Sequence, residues 1–412
     1  MVALMNRSID LLDDLARARD NIFHLNRRGY LYVTADESRV AEWLRAGQHA
    51  ESFGAGKLRV HGEALEVGNW KLDVGSLKLE ARTTPGTNLQ PPISNLQSPT
   101  TGADLILDRA LIRAQFPYLS ERVVAVLHAR RCGWLSAQTL GMDLLEQARA
   151  RGVRFISARV ESVEVRDNAV RGVRLSDGTH IATEIFVNAA GPFLKNVGQM
   201  IGVDLPVFSE LHQKISFADE LGAIPRDAPM LIWSDPQRLE FSDDERALIA
   251  ESDELRGLLA EFPAGAHTRP EGGAQSNIAL MLWAYHTPPV AEKFPLAFDP
   301  LYPQIVLRGL ATMLPALENY FERPPKPIID GGYYTKTREN RPLIGALPVR
   351  GAFVIGALSG FGIMAACASG ELLAHYVLGN SLPPYASAFA PDRYDDPAYR
   401  AWLENQTESG QL

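Results

Sequence analysis

The stretch FVIGALSGFGIMAACASGELLAH, residues 353–375, combines an apolar run, a glycine-rich turn and a helix-forming segment. Gly360 and Gly362 begin the spacing G-x-G-x-x-G/A, which lets a backbone approach a pyrophosphate at a helix N-terminus. In a dinucleotide-binding unit, a second strand follows the helix and ends in an acidic residue ~20 positions beyond the glycines. Pro383 and Pro384 lie in that region here and prevent a central strand. The stretch therefore predicts a strand, a glycine turn and a helix whose N-terminal N–H groups face an electron-rich or anionic group.

A membrane span is the alternative interpretation of this region, because residues 351–370 carry no charged side chain. A spanning helix needs ~20 predominantly apolar residues, a length that this segment just reaches. Five glycines and the strand-like start at 353–355 count against a span. We therefore expect a buried glycine-rich turn and no membrane span.

The composition is that of an ordinary globular chain with more than one domain's worth of core. The chain has 412 residues, of which 46% are hydrophobic and 22% are charged. Its net charge of −8 argues against a nucleic-acid partner, which requires a basic surface. Cys132 and Cys367 lie in no Cys/His metal spacing, so we expect no metal site and a reducing compartment. Acidic residues interrupt the N-terminal apolar run before it resembles a signal peptide, which predicts a soluble, cytoplasmic protein.

The rest of the chain alternates segments typical of helices and of strands. Apolar spacing predicts an N-terminal helix from about the third residue, and Asp36 is expected to cap a helix over 36–47. The uncharged, Pro- and Ser-rich segment 83–103 is typical of a flexible surface loop. A β-meander with small residues at the end of its last strand is predicted over 153–190. The other predicted elements are helices over 108–119, 135–151, 242–262 and 299–317 and strands over 28–34, 122–130, 211–217 and 278–285.

The segment 331–379 resembles the C-terminal flavin-binding region of the D-amino-acid oxidase family, which includes sarcosine and glycine oxidases. The shared pattern is a T-x-D/E-x-x-P-x-I-G segment, a short strand and a glycine-rich turn that enters the last helix. The helix over 135–150 and IFVNAAGPF (185–193) are similar to the central segment of the same family. The resemblance implies a non-covalent FAD cofactor that contacts Val160, Ala189, Ala190, Gly191, Ser359, Gly360, Phe361, Gly362, Ile363 and Met364.

The resemblance also implies an α/β (α+β) fold. An incomplete, Rossmann-like FAD-binding domain is expected from residues 1–28, 132–207 and 332–380. It is interleaved with a substrate domain of mixed or antiparallel sheet, built from 29–131 and 208–331. Residues 381–412 are expected to form a C-terminal tail.

The chain departs from the family pattern in three respects. The family's N-terminal strand–GxGxxG–helix segment, which holds the pyrophosphate, is not found in this sequence. The cysteine that binds flavin covalently in sarcosine oxidases falls at Gly332, so we expect non-covalent binding. A carboxylate-binding arginine and lysine of two relatives fall near Tyr334 and Met364. The family's amino-acid specificity is therefore not carried over.

The family's chemistry transfers a hydride from a carbon that bears an amine to the flavin, with the protein supplying orientation and charge. Tyr334, Lys336 and Arg338 precede the flavin-facing turn and are candidate site residues, as is His286 after an apolar strand. The alternatives are paired surface residues in a strand and, for His286, a satisfied interior histidine. Arg269 is a further candidate that would bind a carboxylate.

Two functional hypotheses remain at this point. The first is an FAD-dependent oxidoreductase that acts on a small amine or amino acid. The second is a non-catalytic fragment or subunit of such an enzyme that does not hold FAD alone, because the pyrophosphate segment is not found. A nicotinamide-dependent dehydrogenase is a weaker third for the same reason.

Overall fold

The fold was analysed in a computed structural model that describes residues 1–62, 66–67, 70–71, 101–273 and 275–405. Most of the predicted loop over 83–103 lies outside these residues. The α-helices are α1 (Val2–Ala18), α2 (Arg39–Ser52), α3 (Arg109–Gln115), α4 (Ala137–Ala150), α5 (Leu194–Gln199), α6 (Asp243–Glu251), α7 (Tyr302–Ala311), α8 (Gly362–Leu378) and α9 (Pro397–Glu404).

The strands distribute over two principal sheets and three smaller ones. They are β1 (Tyr30–Thr34), β2 (Leu58–His61), β3 (Glu66–Val67), β4 (Trp70–Lys71), β5 (Ala103–Ile106), β6 (Ala125–Ala129), β7 (Val160–Arg166), β8 (Ala169–Leu175), β9 (His180–Ala182), β10 (Phe186–Asn188), β11 (Phe208–Ala218), β12 (Met230–Trp233), β13 (Gln237–Arg238), β14 (Glu261–Phe262), β15 (His267–Pro270), β16 (Ile278–Leu282), β17 (Pro289–Val290), β18 (Ile328–Lys336), β19 (Leu343–Ala346) and β20 (Ala352–Gly356).

The large sheet has the order β17-β11-β16-β15-β12-β1-β6-β5-β2, and β18 also pairs with β11. It is mixed, because β1 runs parallel to β12 and β2 parallel to β5, whereas the other neighbours are antiparallel. This confirms the predicted mixed sheet. Side chains alternate between two faces, as in β15, where Thr268 is buried and His267 is half-buried.

One face of the large sheet carries the main hydrophobic core. Leu231 and Met281 of the sheet and Leu310 of α7 are completely buried in it. Trp283 packs on Gly309, donates its indole N–H to the carbonyl of Pro263 and donates its backbone N–H to the hydroxyl of Tyr302. The other face is covered by α2 over β2, β5 and β6, where Trp43 and Leu105 are buried, and is less buried along β11, β15 and β16.

The small sheet has the order β10-β20-β19. β10 runs parallel to β20, and β19 is antiparallel to it. The meander β7-β8-β9 packs on this sheet, with Val173 and Val354 in one hydrophobic cluster. On another side, α8 packs against α1 through Ala368, Leu372 and Leu4.

By length and composition, Ser359–Leu378 is the one helix in the described part of the chain that meets the requirements for crossing a membrane. Core helices of proteins without membrane spans meet the same requirements. Here the N–H of Ala368 donates to the Ser8 hydroxyl, and Arg7 forms an ion pair with Glu371. These contacts join one side of the helix to α1, while 22% of its most apolar window is buried.

Several boundaries differ from the sequence-based expectation. Residues 153–159 are not a strand, although they were predicted to begin the meander. Phe155 is 62% exposed and has no strand partner among the described residues. Asp36 does not cap α2, which begins after Ser38, but accepts the N–H of that serine. α6 ends at Glu251, well before residue 262.

The predicted domain boundaries stay a prediction. The strand pairings join residues 30–129 with 208–336 in the large sheet and 186–188 with 343–356 in the small sheet. The boundary expected between 331 and 332 falls inside β18, whose whole length pairs with β11. The C-terminal region packs against the residues that follow β18. There the buried Arg393 donates to the carboxylate of Glu339 at 2.8 Å.

Candidate active site

The parallel pairing of β10 with β20 brings two predicted cofactor-binding segments to one edge of the small sheet. Asn188 is in register with Val354, so both strands end at the same side. Ala189, Ala190 and Gly191 follow β10 directly, and the turn before α8 follows β20. Carboxyl ends of parallel strands form the usual ligand crevice of open α/β sheets.

The turn between β20 and α8, residues 357–361, is called the α8 turn below. Ala357 and Ser359 have φ of 54° and 51°, a left-handed conformation that costs energy in residues other than glycine. No side chain caps the N-terminus of α8. Its first N–H groups therefore remain donors for an anionic or electron-rich group.

Gly360 joins the α8 turn to the large sheet. A Cβ at this position would lie 2.7 Å from Cε2 of Tyr334, which belongs to β18. Only a residue without a side chain permits this approach. The aromatic ring of Tyr334 therefore lies directly beside the turn.

Tyr334 belongs to a polar surface of the large sheet, opposite the hydrophobic core. We call this surface the site face and define it by Tyr30, His267, Arg269, Glu210, His212 and Tyr334. The His212 ring stacks on the Tyr334 ring with a centroid distance of 3.8 Å and an interplanar angle of 13°. Gly332, opposite His212 in the register, has open space where a Cβ would stand. The site face thus meets the α8 turn along β18.

A buried charge pair supports the stacked rings. Nζ of Lys336 lies 3.2 and 3.1 Å from the two carboxylate oxygens of Glu210, and Lys336 is only 1% exposed. Oε2 of Glu210 lies 3.0 Å from Nε2 of His212. In the register Glu210 is directly opposite Tyr334. The contacts of Glu210 with Lys336 and of His212 with Tyr334 are therefore diagonal contacts between β11 and β18.

Burial is the largest influence on the pKa values of the titratable side chains His212, Tyr334 and Tyr30 on the site face. It lowers the pKa of His212, a shift that the hydrogen bond to Glu210 opposes and the charge of Lys336 reinforces. It also raises the pKa of Tyr334 and raises that of Tyr30 to about 12. The imidazole of His212 is therefore neutral at neutral pH.

The predicted site residues fall into different places. Tyr334 lies on the site face, and Lys336 is buried on the same side of β18 in the ion pair with Glu210. His286 is exposed between β16 and β17, and the exposed Arg338 reaches the carbonyl of Glu404 at 3.4 Å. Among the described residues, neither His286 nor Arg338 has a contact with a residue of the site face.

Two other predicted residues are located by their strands. Val160 begins β7 in the meander, where it pairs with Leu175. Arg269 is in β15, not in a solvated loop, and its guanidinium lies 5.2 Å from the ring centre of Trp134 and 2.5 Å from a carboxylate oxygen of Glu271.

The sequence interpretation missed Glu210, His212, Tyr30 and His267. Charged or titratable residues recur at 210, 212 and 214 in β11, and this period of two is a signal for a polar sheet face. The position of β11 beside β18, more than one hundred residues later, is not visible in that spacing.

An FAD molecule fits the residues present at the flavin end. The α8 turn supplies uncapped N–H donors, Gly360 and Ile363 are exposed, and the exposed Ala189 and Gly191 stand at the neighbouring strand end. The site face borders this crevice through Tyr334. Among the described residues, no group of three or more His, Cys, Asp or Glu side chains is placed to hold a metal ion.

Parallel strand ends bordered by the polar face of a second, mixed sheet are the arrangement of an α/β protein that binds a ligand at the carboxyl ends of its strands. The family is shown by comparison with known proteins. The model of the FAD-dependent oxidoreductase family, DAO, matches residues 1–376. The chain belongs to this family.

Solved structures share the fold. L-proline dehydrogenase from P. horikoshii has a TM-score of 0.65 at 18% identity, covering 95% of this chain and 82% of that one. Glycine oxidase from Geobacillus kaustophilus has a TM-score of 0.65 at 15% identity, covering 94% and 82%. In sequence, the mitochondrial dimethylglycine dehydrogenase of Rattus norvegicus is 33% identical over 130 residues, which are 31% of this chain and 15% of that protein.

Proposed function

We propose that this chain oxidises the C–N bond of a small amine or amino acid by hydride transfer to non-covalently bound FAD. The observation that carries the proposal is the contact between Tyr334 and the α8 turn at Gly360. It places a polar, partly buried sheet face directly beside the crevice that fits the cofactor. The names of the structural neighbours, a proline dehydrogenase and a glycine oxidase, support the substrate class.

The residues of the chain have distinct tasks in this proposal. The α8 turn and the segment after β10 hold the cofactor by backbone groups, and bound flavin accepts the hydride. Tyr334 and His212 form an aromatic wall that orients the substrate and excludes water from it. Gly332 leaves space beside this wall and offers no thiol for a covalent bond to flavin. We further propose a cytoplasmic location, which the two free cysteines support.

The test is an anaerobic titration of the FAD-loaded chain with primary, secondary and tertiary amines and with amino acids. Loss of the oxidised-flavin absorption band on addition of one class supports the proposal and identifies the substrate class. Acid precipitation then distinguishes the modes of binding, because non-covalent FAD stays in the supernatant. No bleaching by any member of the panel, with FAD bound stoichiometrically, rejects amine oxidation.

A second candidate is a fragment or subunit that does not hold FAD by itself. One observation favours it: β10 pairs only with β20 among the described strands, and apolar side chains lie exposed at 153–156 and at Ile185. Exposed apolar surface beside an unpaired strand edge promotes association. The purified 412-residue chain would then self-associate and retain FAD in less than stoichiometric amount. A monodisperse chain with one FAD per polypeptide contradicts this candidate.

A further inference from the structure

The buried ion pair of Lys336 with Glu210, on the site face, has no task in the proposed reaction. Lys336 is almost completely enclosed, and its ammonium group contacts both carboxylate oxygens of Glu210. Burial of such a pair costs desolvation energy that its own attraction barely offsets, so it is weak evidence for a role in stability. The contact of the same carboxylate with His212 suggests what else it does.

The hydrogen bond between His212 and Glu210 determines which imidazole nitrogen carries the proton. An ionised carboxylate only accepts hydrogen bonds, so Nε2 of a neutral His212 must donate to Oε2 of Glu210, 3.0 Å away. Nδ1 is then the unprotonated nitrogen, a hydrogen-bond and proton acceptor. The stack on Tyr334 fixes the plane of the ring next to the residue that contacts Gly360.

We infer that Glu210 and Lys336 are a positioning pair that holds His212 as the Nε2–H tautomer, with Nδ1 as the proton acceptor of the site. The ammonium group of Lys336 contacts both oxygens of Glu210, and its positive charge lowers the pKa of His212, which opposes the effect of the carboxylate on the same ring. For the reaction, the inference rests on the proposed function: an amine substrate enters as an ammonium ion and must lose a proton before hydride transfer. Nδ1 of His212 takes that proton, leaving the nitrogen lone pair to form the C=N bond as the C–H hydride departs.

The charged and titratable groups around His212 come from three strands. Glu210 is in β11, Lys336 and Tyr334 are in β18, and His267 in β15 interacts electrostatically with His212. Lys214 lies on the same side of β11 but is more exposed, and it pairs with Asp330 at 3.0 Å. Lys214 therefore provides a matched control, a lysine–carboxylate pair on the same two strands that does not touch His212.

The test is ¹⁵N NMR of histidine-labelled protein, with His212 assigned by H212Q. The ring nitrogens of the wild type should show the Nε2–H tautomer at neutral pH. In K336M the unbalanced carboxylate should raise the titration midpoint of His212 by about one pH unit, whereas K214M should leave it unchanged.

E210Q should give mixed tautomers, because an amide donates as well as accepts. If E210Q does not fold, the double variant E210Q/K336M, which removes both charges, replaces it.

An Nδ1–H tautomer in the wild type, or equal midpoints in K336M and wild type, overturns the inference. This measurement needs no substrate, so its outcome is independent of the proposed function.

A second readout is the pH dependence of flavin reduction by an accepted amine. Its acidic limb should move with the His212 midpoint in K336M, and a limb that stays fixed while the midpoint moves overturns the role of Nδ1.

Discussion

The large sheet and the small sheet differ in how much of their apolar surface the chain itself covers. The large sheet buries the main hydrophobic core on one face, together with α7 and α3, and residues such as Leu231 and Met281 are inaccessible to solvent. The small sheet is packed by α8 and the meander, but Ile185 beside β10 is 49% exposed and Phe155 is 62% exposed. The two sheets thus differ in exposure: the large sheet carries the largest buried core and presents the site face on its other side, whereas the small sheet keeps an accessible edge beside β10.

The strongest test of this difference is W283A in the core of the large sheet. Trp283 is 2% exposed, packs on Gly309 and makes two hydrogen bonds. Truncation of a buried Trp costs about 3–5 kcal/mol of unfolding free energy. Chemical denaturation should show a loss of this size. A loss below about 1 kcal/mol would mean that the large sheet is not the main source of stability.

The second prediction concerns the pH dependence of the large sheet. Burial in this sheet, reinforced by Arg130, lowers the pKa of His128 to about 4. The unfolded chain takes up a proton near pH 6.5, whereas the folded chain does not until about pH 4. Stability is therefore fully present above pH 6.5 and falls as the pH decreases to 4, by about 3 kcal/mol.

Denaturation of wild type and H128Q between pH 7 and 4 isolates this contribution, because other groups titrate in both. The difference between the two unfolding free energies should change with pH in that window. A constant difference contradicts the lowered pKa of His128.

The third prediction moves to the crevice of the small sheet. G360A places a methyl group 2.7 Å from Tyr334. Overpacking of this kind costs about 1–3 kcal/mol, which corresponds to about 5- to 150-fold weaker FAD binding when the crevice absorbs it. FAD fluorescence titration measures the affinity. G370A is the matched control, because a Cβ there meets no atom within 4 Å and alanine favours the helix interior; an equal loss in both variants would show that the contact with Tyr334 is not the cause.

The smallest expected change in stability comes from F155S. Phe155 is exposed and outside any strand, so its substitution should alter the unfolding free energy by less than about 0.5 kcal/mol. Self-association, measured by sedimentation velocity, should nevertheless decrease if the exposed apolar surface drives it. V165S, at a less exposed position within β7, is the comparison. A large loss of stability in F155S would show that this segment is part of a packed core.

The sequence was sufficient for the parts of the site that are local in the chain. The apolar run, the glycines and the helix after them identify β20, the α8 turn and α8 from one continuous stretch. The prediction of a strand over 153–159 was wrong. The spacing of apolar residues indicates that a segment is suited to a strand, but it does not show whether a neighbouring strand is present to pair with it. Lys336 was predicted as a site residue from the sequence, but its buried partner Glu210 is 126 positions away. Such pairing depends on strand order and register, which local patterns do not encode.

Tyr334, one of the two residues of the aromatic wall, and the α8 turn come from neighbouring parts of one sequence segment. β18 ends at Lys336, and the turn begins at Ala357, with only β19 and β20 between them. Tyr334 and Gly360, which touch in space, are therefore inherited together in any recombination whose breakpoints lie outside this short block. Exchange of residues 328–362 as a unit between related chains would transfer a matched pair, whereas a crossover between 336 and 357 would combine a tyrosine from one parent with a turn from the other. Folded and active chimeras should therefore rarely have a crossover between residues 336 and 357.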